Sequence, residues 1–295
     1  MVAIALRRAH LADLLVLAKA RIAVWVLFTV AAGFVMAAGP GTQEGGGVVL
    51  LPLLLGTALV VVGTNALNQV VEVETDALMR RTRNRPLPAG RLPVGPVALG
   101  AGLVGTVGIA FLALTVNGLT AALAALTLVS YVFVYTPLKR KSTLNTLVGA
   151  VPGALPIVGG YAASSGSIDA AAVVLFLVMF LWQMPHFLAL SWLYREDYGW
   201  AGIKMLAVTD PSGRVTFAQA LLYAAALVPI SLLPTVMGLA SQAYFWGALV
   251  LSLGYCGTAL VAALRPTRQH ARRLFFLSIW YLPALLTLMM VDMRV

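Results

Sequence analysis

Nine apolar stretches run through this chain, and each is close to the length that a helix needs to cross a bilayer. They cover residues 14–37, 47–71, 93–115, 119–137, 144–163, 169–192, 215–238, 242–263 and 274–291. A spanning helix needs about 20 apolar residues, and these runs lack the alternation of membrane β-strands. Residues are 61% hydrophobic and only 10% charged, which excludes an ordinary soluble domain. We therefore predict an all-α polytopic membrane protein with one domain over residues 1–295.

The positions of the positive charges support nine spans. If the chain has nine spans, all of its 20 Lys and Arg residues except Arg294 lie on the same side of the membrane. The positive-inside rule then predicts a cytoplasmic N-terminus and an outside C-terminus, in a bacterial-type cell membrane. The first run contains Lys19 and Arg21, so we expect a retained helix rather than a signal peptide. The net charge of +10 follows from this asymmetry and does not indicate nucleic-acid binding, because basic and aromatic residues do not interleave.

Polar side chains cluster at the end of the second span and continue into an arginine-rich loop. On a helix at 100° per residue, five of them share one face about 100° wide, while Glu74 falls opposite. These five are Asn65, Asn68, Gln69, Glu72 and Asp76. Two carboxylates one turn apart, with amide neighbours, suit a hard cation such as Mg²⁺. The arginines of residues 80–91 suit phosphate oxygens. A solvated helix end is the simpler alternative, but it does not predict this concentration on one face.

Two further polar groups are predicted at the same side of the membrane. On a continuous helix, Gln183, His186, Tyr194 and Asp197 would lie near one face, although Pro185 is expected to weaken that alignment. Residues 139–141 form a short basic segment. The simpler interpretations remain open for both: a hydrogen-bonded histidine at a helix contact, and basic anchors at the interface. Acidic and basic groups that converge beside a lipid-filled bundle favour an amphiphilic diphosphate as ligand.

These motifs resemble those of a known family. Asn68-Gln69-x-x-Glu72-x-x-x-Asp76 is similar to N-D-x-x-D-x-x-x-D of the UbiA superfamily of intramembrane prenyltransferases, and residues 79–87 are similar to its M-x-R-T-x-x-R-P segment. The string WQMPHF at residues 182–187 and YTPLKR at 135–140 resemble the branch that farnesylates heme. Gln69 and Glu72 depart from the general aspartate pattern, and Gln69 offers only a neutral oxygen.

The resemblance implies a UbiA-type bundle of nine helices around a central cavity that opens to the cytoplasm. It implies transfer of a farnesyl group from farnesyl diphosphate to a vinyl group of heme B, with Mg²⁺ as cofactor. The implied metal ligands are Glu72, Asp76, Asn68 and Asp197. The implied catalytic residues are Asn68, Glu72, Asp76, Asp197 and Lys204. The implied substrate-binding residues are Asn65, Arg81, Arg85, Lys139, Arg140, Gln183, His186 and Tyr194. For His186 we hypothesise contact with the porphyrin, as an axial iron ligand or through a propionate.

Other functions are weighed against this one. A related enzyme could prenylate an aromatic or lipid acceptor such as 4-hydroxybenzoate, which the WQMPHF string disfavours. A transporter would place its binding groups near the bilayer midplane rather than at span ends, and a structural subunit would not need clustered carboxylates. The sequence leaves open whether a product would pass directly to a heme A synthase or to terminal oxidase assembly.

Overall fold

The computed structural model describes residues 11–38 and 43–292, and this part of the chain is helical with no strand. In chain order the first helices are α1 (Leu11–Ala18), α2 (Ala20–Ala38), α3 (Gln43–Val71), α4 (Val73–Leu78), α5 (Val94–Thr115), α6 (Gly118–Val129) and, after a π-helical stretch (Ser130–Tyr135), α7 (Thr136–Leu138). They are followed by α8 (Asn145–Ser165), α9 (Ala170–Leu193), α10 (Arg195–Trp200), α11 (Leu206–Thr209), α12 (Arg214–Val236), α13 (Gln242–Leu264) and α14 (Arg268–Asp292). The predicted all-α class is confirmed.

Nine segments of residues 11–38 and 43–292 are long and apolar enough to cross a membrane, so the chain is an integral membrane protein. Two predicted boundaries were wrong. The first span begins at Ala20 rather than at residue 14, because the helix is interrupted at Lys19, whose φ of 48° lies in the left-handed region. The last span begins at Arg268 rather than at residue 274. Arg294, whose place the charge argument used, lies outside the described residues.

Helix α8 lies at the centre of the bundle and packs against α2, α6 and α9. Its span is 72% buried, more than any other. Glycines make the contact with α2 very close: a Cβ at Gly160 would collide with the carbonyl of Val30, and one at Gly33 with the carbonyl of Ile157. Small residues at crossing points allow such approach in membrane helices. The helix α8 therefore joins a group that contains α2, α3, α5 and α6 to a group that contains α9, α12, α13 and α14.

Three connecting segments, residues 72–93, 139–144 and 194–205, meet at one end of the bundle, which we call the basic end. Met79 from the first segment packs with Ala201, Ile203 and Met205 from the third. The backbone N–H of Lys204 donates to the carbonyl of Lys139 at 2.7 Å, which joins the third segment to the second. The three segments that carry the predicted site are thus fixed to one another by backbone and apolar contacts.

Candidate active site

Asn65 and Gln69 face the first helix. The carbonyls at the end of an α-helix lack partners within the helix, and here side-chain amides supply them. Asn65 Nδ2 donates to the carbonyl of Ala18 at 2.9 Å, and Gln69 Nε2 donates to the carbonyl of Leu17 at 2.6 Å. The carbonyl oxygen of the buried Gln69 side chain has no hydrogen-bond partner among the described residues. The predicted polar face is therefore divided, and these two amides fix α1 against α3.

Asn68 connects three elements at the inner side of α3. It is fully buried, its Nδ2 donates to Thr136 Oγ1 at 3.0 Å, and its Oδ1 accepts from Lys19 Nζ at 2.6 Å. Lys19 reaches this position because the backbone break between α1 and α2 turns its side chain inward. The pKa of Lys19 is lowered to about 7, chiefly by burial; the charge of Glu72 opposes this shift, and the charges of Arg85 and Lys139 add to it. Lys19, which the sequence analysis used only as a topology signal, thus lies in the site.

Glu72 forms a buried ion pair with Lys139. The carboxylate and the ammonium are 2.6 Å apart, and the two side chains are only 12% and 14% exposed. Burial alone would raise the pKa of Glu72, but the charges of Lys139, Lys19 and Arg85 outweigh it and the pKa is lowered. The ammonium of Lys139 also lies 4.4 Å from the centre of the Tyr135 ring. The carboxylate at the end of α3 is therefore held ionised and paired.

Asp76 forms the second buried ion pair, with Arg85 at 2.6 Å. The carboxyl side chain is 1% exposed, and its burial raises the pKa of Asp76 despite the charge of Arg85. The hydroxyl of Thr82 donates to the backbone carbonyl of Asp76 at 2.9 Å, which folds the following loop back over α4. Glu72 and Asp76 thus each carry a basic partner: Lys139 from the segment of residues 139–144 for Glu72, and Arg85 from the loop after α4 for Asp76.

Arg140 and Glu74 show the contrast with an exposed pair. Their closest atoms are 3.7 Å apart and the side chains are 62% and 88% exposed, which fits the expected place of Glu74 outside the site. A cavity of about 320 Å³ opens beside the Glu72–Lys139 pair. Its lining includes Arg140 and Lys141 together with Thr75, Thr136 and Ile203. We call Lys19, Asn68, Glu72, Asp76, Arg85 and Lys139 the donor cluster, and this space the donor cavity.

Gln183 and His186 point in different directions. Gln183 is buried, and its Nε2 donates to the carbonyl of Ala150 in α8 at 2.8 Å. His186 faces α14, where its Nδ1 lies 2.7 Å from Ser278 Oγ and its ring stacks on Phe275 at 4.8 Å between centroids. The sequence placed both on one face, but two different helices, α8 and α14, contact them. Pro185 does not end the helix, which continues to Leu193.

Tyr194, Asp197 and Lys204 are less tightly joined to the donor cluster. Tyr194 ends α9, so the predicted continuous helix is interrupted there, and its ring lies 5.3 Å from the guanidinium of Arg81. Asp197, 9% exposed, accepts from the backbone N–H of Arg81 at 3.3 Å. The Lys204 side chain is exposed. Within residues 11–38 and 43–292, no three Asp, Glu, His or Cys side chains form a group that could hold a metal ion. Asp197 is therefore not brought together with both carboxylates of the donor cluster.

Asn145 is a site-supporting residue that sequence reasoning missed. It is fully buried, and its Nδ2 donates to the carbonyls of Ser142 at 2.6 Å and Lys204 at 2.8 Å. It therefore ties the start of α8 to the loop that packs over the donor cavity. Its place at the first turn of an apolar span was a usable signal, since an amide there needs a nearby partner.

Comparison with known proteins assigns the chain to a family of prenyltransferases. The model of the UbiA prenyltransferase family matches residues 26–280, and the chain belongs to this family. It is 46% identical over 244 residues to a protoheme IX farnesyltransferase of Solibacter usitatus, covering 82% of this chain and 83% of that protein. It is 44% identical over 280 residues to a protoheme IX farnesyltransferase of Salinibacter ruber, covering 95% and 98%.

Solved structures agree with this fold. A digeranylgeranylglyceryl phosphate synthase superposes with a TM-score of 0.80 at 14% identity, over 96% of this chain and 98% of that one. A UbiA homologue from Archaeoglobus fulgidus bound to DMAPP and Mg²⁺ superposes with a TM-score of 0.63 at 14% identity, over 94% and 99%. The predicted UbiA-type helical bundle is confirmed by these likenesses.

Proposed function

We propose that this chain transfers a farnesyl group from farnesyl diphosphate to a vinyl group of heme B, with addition of water, to give heme O and diphosphate. The observation that carries this is the identity of 44% to 46%, over most of the chain, with proteins named protoheme IX farnesyltransferase. The donor cluster supports it, because it offers cations for a diphosphate and oxygen ligands for its metal at the end of an apolar bundle.

The residues of the donor cluster fit a magnesium diphosphate. Mg²⁺ in proteins is usually bound by one or two carboxylates and the phosphates of the substrate, with waters completing the shell. Glu72 and Asp76 supply two carboxylates, and Asn68 supplies an amide oxygen. We propose these three as the ligands. Asp197 is a fourth candidate, but it accepts from the backbone N–H of Arg81, and the backbone at residues 80–81 would have to move before Asp197 could reach the metal. When bound, Mg²⁺ neutralises part of the diphosphate charge and so makes it a better leaving group.

The ion pairs explain how the site remains stable without substrate. A buried charge without a partner costs several kcal/mol, about 3–5 kcal/mol when one partner of a pair is removed. Lys139 and Arg85 neutralise the two carboxylates in the substrate-free protein. We propose that these two side chains, with Lys19 and Arg140, would pair with phosphate oxygens when the diphosphate binds, and that Glu72 and Asp76 would then be available to hold the metal ion. Each charge then exchanges one partner for another, and none is left unpaired.

The chemistry follows from the same residues. The bond between C1 of the farnesyl group and the diphosphate oxygen breaks, and the oxygen keeps the electron pair. The basic side chains of the donor cluster stabilise the charge that grows on that oxygen. The terminal carbon of the vinyl group then donates its π electrons to C1, which leaves a cation on the carbon next to the porphyrin ring. Water adds to this carbon and loses a proton, giving a hydroxyl group.

For the acceptor we propose contact between His186 and the porphyrin. The ring of His186 is stacked between Trp182 at 5.4 Å and Phe275 at 4.8 Å, and Ser278 holds its Nδ1. A hydrogen bond on one ring nitrogen fixes the orientation of the other, which is the usual arrangement for a metal-ligating histidine. We keep Gln183 and Tyr194 as further substrate-binding residues and Lys204 as a catalytic candidate. We also propose that the basic end and the N-terminus face the cytoplasm, since positive loops favour that side.

An acceptor comparison tests the proposed function. Purified protein in lipid nanodiscs is incubated with farnesyl diphosphate and Mg²⁺, and diphosphate release is followed with heme B, 4-hydroxybenzoate or a lipid alcohol as acceptor. We expect release to depend on heme B alone. Release that requires 4-hydroxybenzoate or the lipid, with heme B inert, would move the chain to another branch of the family. No release with any acceptor from folded protein would contradict transferase activity.

A further inference from the structure

A second and larger cavity lies at the basic end, on the other side of the arginine-rich loop from the donor cluster. Its volume is about 470 Å³. The charged residues that line it are Arg80, Arg81, Arg195, Glu196, Asp197 and Arg268. They come from three places: the loop after α4, the start of α10 and the start of α14. We call this space the arginine cavity. The donor cavity is lined by other residues, so the two spaces are separate.

Aromatic rings hold three of these guanidinium groups in place. Arg80 lies 4.1 Å from the centre of the Trp200 ring, and Arg195 lies 4.0 Å from that of Trp192. Arg81 lies over Tyr194 in the same way. A planar guanidinium on an aromatic face keeps its edge N–H groups available for an anion. Arginines stacked in this manner lose less conformational freedom on binding a ligand than mobile surface arginines do.

The charges of the arginine cavity are not balanced by the chain itself. Among the described residues, none of its four arginines forms an ion pair, although the arginines of the donor cluster and of the neighbouring loops do. Asp197 uses one carboxylate oxygen on the backbone N–H of Arg81. Four arginines against two acidic residues give the lining a formal excess of two positive charges. The ligand that this balance favours is a dianion with planar anionic groups.

We infer that the arginine cavity binds the two propionate carboxylates of the acceptor porphyrin. This inference rests on the proposed function, which supplies an acceptor with two carboxylates at one edge. Arginine and carboxylate form two parallel hydrogen bonds, so paired guanidiniums fix both the position and the direction of that edge. Arg80, Arg195 and Arg268 thus gain a role that the family motifs did not give them, and Arg81 binds the acceptor rather than the diphosphate.

The arginine cavity also adjoins the donor cluster along the chain. Arg80 and Arg81 directly precede Thr82, which bonds to Asp76, and Arg85, which pairs with it. The loop of residues 79–85 therefore lines the arginine cavity with Arg80 and Arg81 and contacts the donor cluster through Thr82 and Arg85. Binding of the carboxylates would position the loop that holds Asp76 and orient the acceptor relative to the donor. The cavity would act as a specificity site, because aromatic and lipid acceptors without two carboxylates would not use it.

Heme B and its dimethyl ester, in which both carboxylates are neutral esters, test this inference. Dissociation constants are measured by absorbance titration in nanodiscs of neutral lipid, and KM values are measured for both porphyrins. For the wild-type chain we expect the ester to bind at least about tenfold more weakly than heme B, a difference of about 1.4 kcal/mol. Arg195→Gln and Arg268→Gln should each weaken the binding of heme B on the order of tenfold and leave the binding of the ester unchanged. The KM for farnesyl diphosphate should stay the same.

Arg273→Gln is the matched control, because Arg273 is exposed on the same helix as Arg268 and does not line the cavity. It should bind both porphyrins as the wild type does. Equal binding of heme B and its ester by the wild-type chain would overturn the inference. An equal loss of affinity for both porphyrins in the variants would overturn it as well. A loss in the variants that appears only with anionic lipid would instead assign the arginines to lipid headgroups. If no porphyrin is farnesylated, the proposed function fails, yet the titrations still decide about the cavity.

Discussion

The donor cluster and the arginine cavity lie at the same end of the bundle but balance their charges in opposite ways. In the donor cluster, Glu72 and Asp76 each have a basic partner at 2.6 Å and are almost inaccessible. In the arginine cavity, Arg80 and Arg268 are exposed and have no acidic partner among the described residues. Buried charges must be paired, whereas hydrated ones need not be. This difference is why we propose that the first region exchanges partners when substrate binds and that the second binds an anion.

The largest effect is expected when a carboxylate of the donor cluster is removed. Glu72→Gln and Asp76→Asn keep the side-chain volume but remove the charge that faces the metal. We expect kcat to fall roughly 10²–10³-fold, the usual effect of losing one preorganised electrostatic group. The KM for heme B should not change. Turnover is measured as farnesylated heme per enzyme over a Mg²⁺ titration. Wild-type rates for either variant at limiting Mg²⁺ would contradict the metal assignment.

A double variant separates this effect from stability. Glu72→Gln alone leaves Lys139 buried without a partner, which costs about 3–5 kcal/mol. In Glu72→Gln with Lys139→Met neither charge remains, so thermal stability should recover while activity should not. Recovery of both together would mean that the pair is only structural.

The next largest effect is expected at Lys19, where the helix is interrupted before the first span. Lys19 has a φ of 48°, which glycine adopts without strain. Lys19→Gly therefore preserves the backbone but removes the ammonium that bonds to Asn68. We expect the KM for farnesyl diphosphate to rise on the order of tenfold, since one charged hydrogen bond is lost, and the thermal midpoint to remain within a few degrees. An unchanged KM would place Lys19 outside the donor site.

A smaller effect is expected at His186. His186→Ala should weaken the binding of heme B several-fold and change the absorption bands of the bound heme. The KM for farnesyl diphosphate should stay the same. Ser278→Ala should have a weaker effect in the same direction, because Ser278 only holds the other ring nitrogen. If His186→Ala leaves both the affinity and the spectrum of heme unaltered, the histidine is a contact between α9 and α14 and nothing more.

No effect is expected at Glu74. It lies on the same short helix as Asp76 but is 88% exposed, and its nearest atom to Arg140 is 3.7 Å away. Exposed ion pairs of this kind contribute little to stability. Glu74→Gln should match the wild type in kcat, in both KM values and in thermal midpoint. A loss of activity comparable with that of Asp76→Asn would show that the division between buried and exposed carboxylates is wrong.

The sequence predicted the fold well because hydropathy and span length directly report membrane helices. It did not predict the break at Lys19, since the apolar run continues through it and left-handed backbone at a lysine has no sequence signal. The angular pattern brought Asn68, Glu72 and Asp76 to one cluster. It did not show that Asn65 and Gln69 would cap α1, because the packing of α1 against α3 is a tertiary choice.

The partners of each site residue were also beyond sequence reasoning. Lys139 pairs with Glu72 from another segment, and no spacing rule joins residues 72 and 139; Arg85 reaches Asp76 only because the loop after α4 folds back. Gln183 and His186 lie three residues apart, but they contact different helices. Their closeness on a helical projection therefore did not place them in one site. The arginine cavity needed three distant segments to meet, which only the folded chain shows.

The mass of heme recovered from a reaction in ¹⁸O-labelled water tests the central claim most directly. The purified chain is incubated with heme B, farnesyl diphosphate and Mg²⁺, and the porphyrin is extracted and weighed by mass spectrometry. We predict a product that carries one farnesyl group and one labelled oxygen atom, formed in equal amount to the diphosphate released. Recovery of unchanged heme B from folded protein, with or without hydrolysis of the diphosphate, would contradict the account.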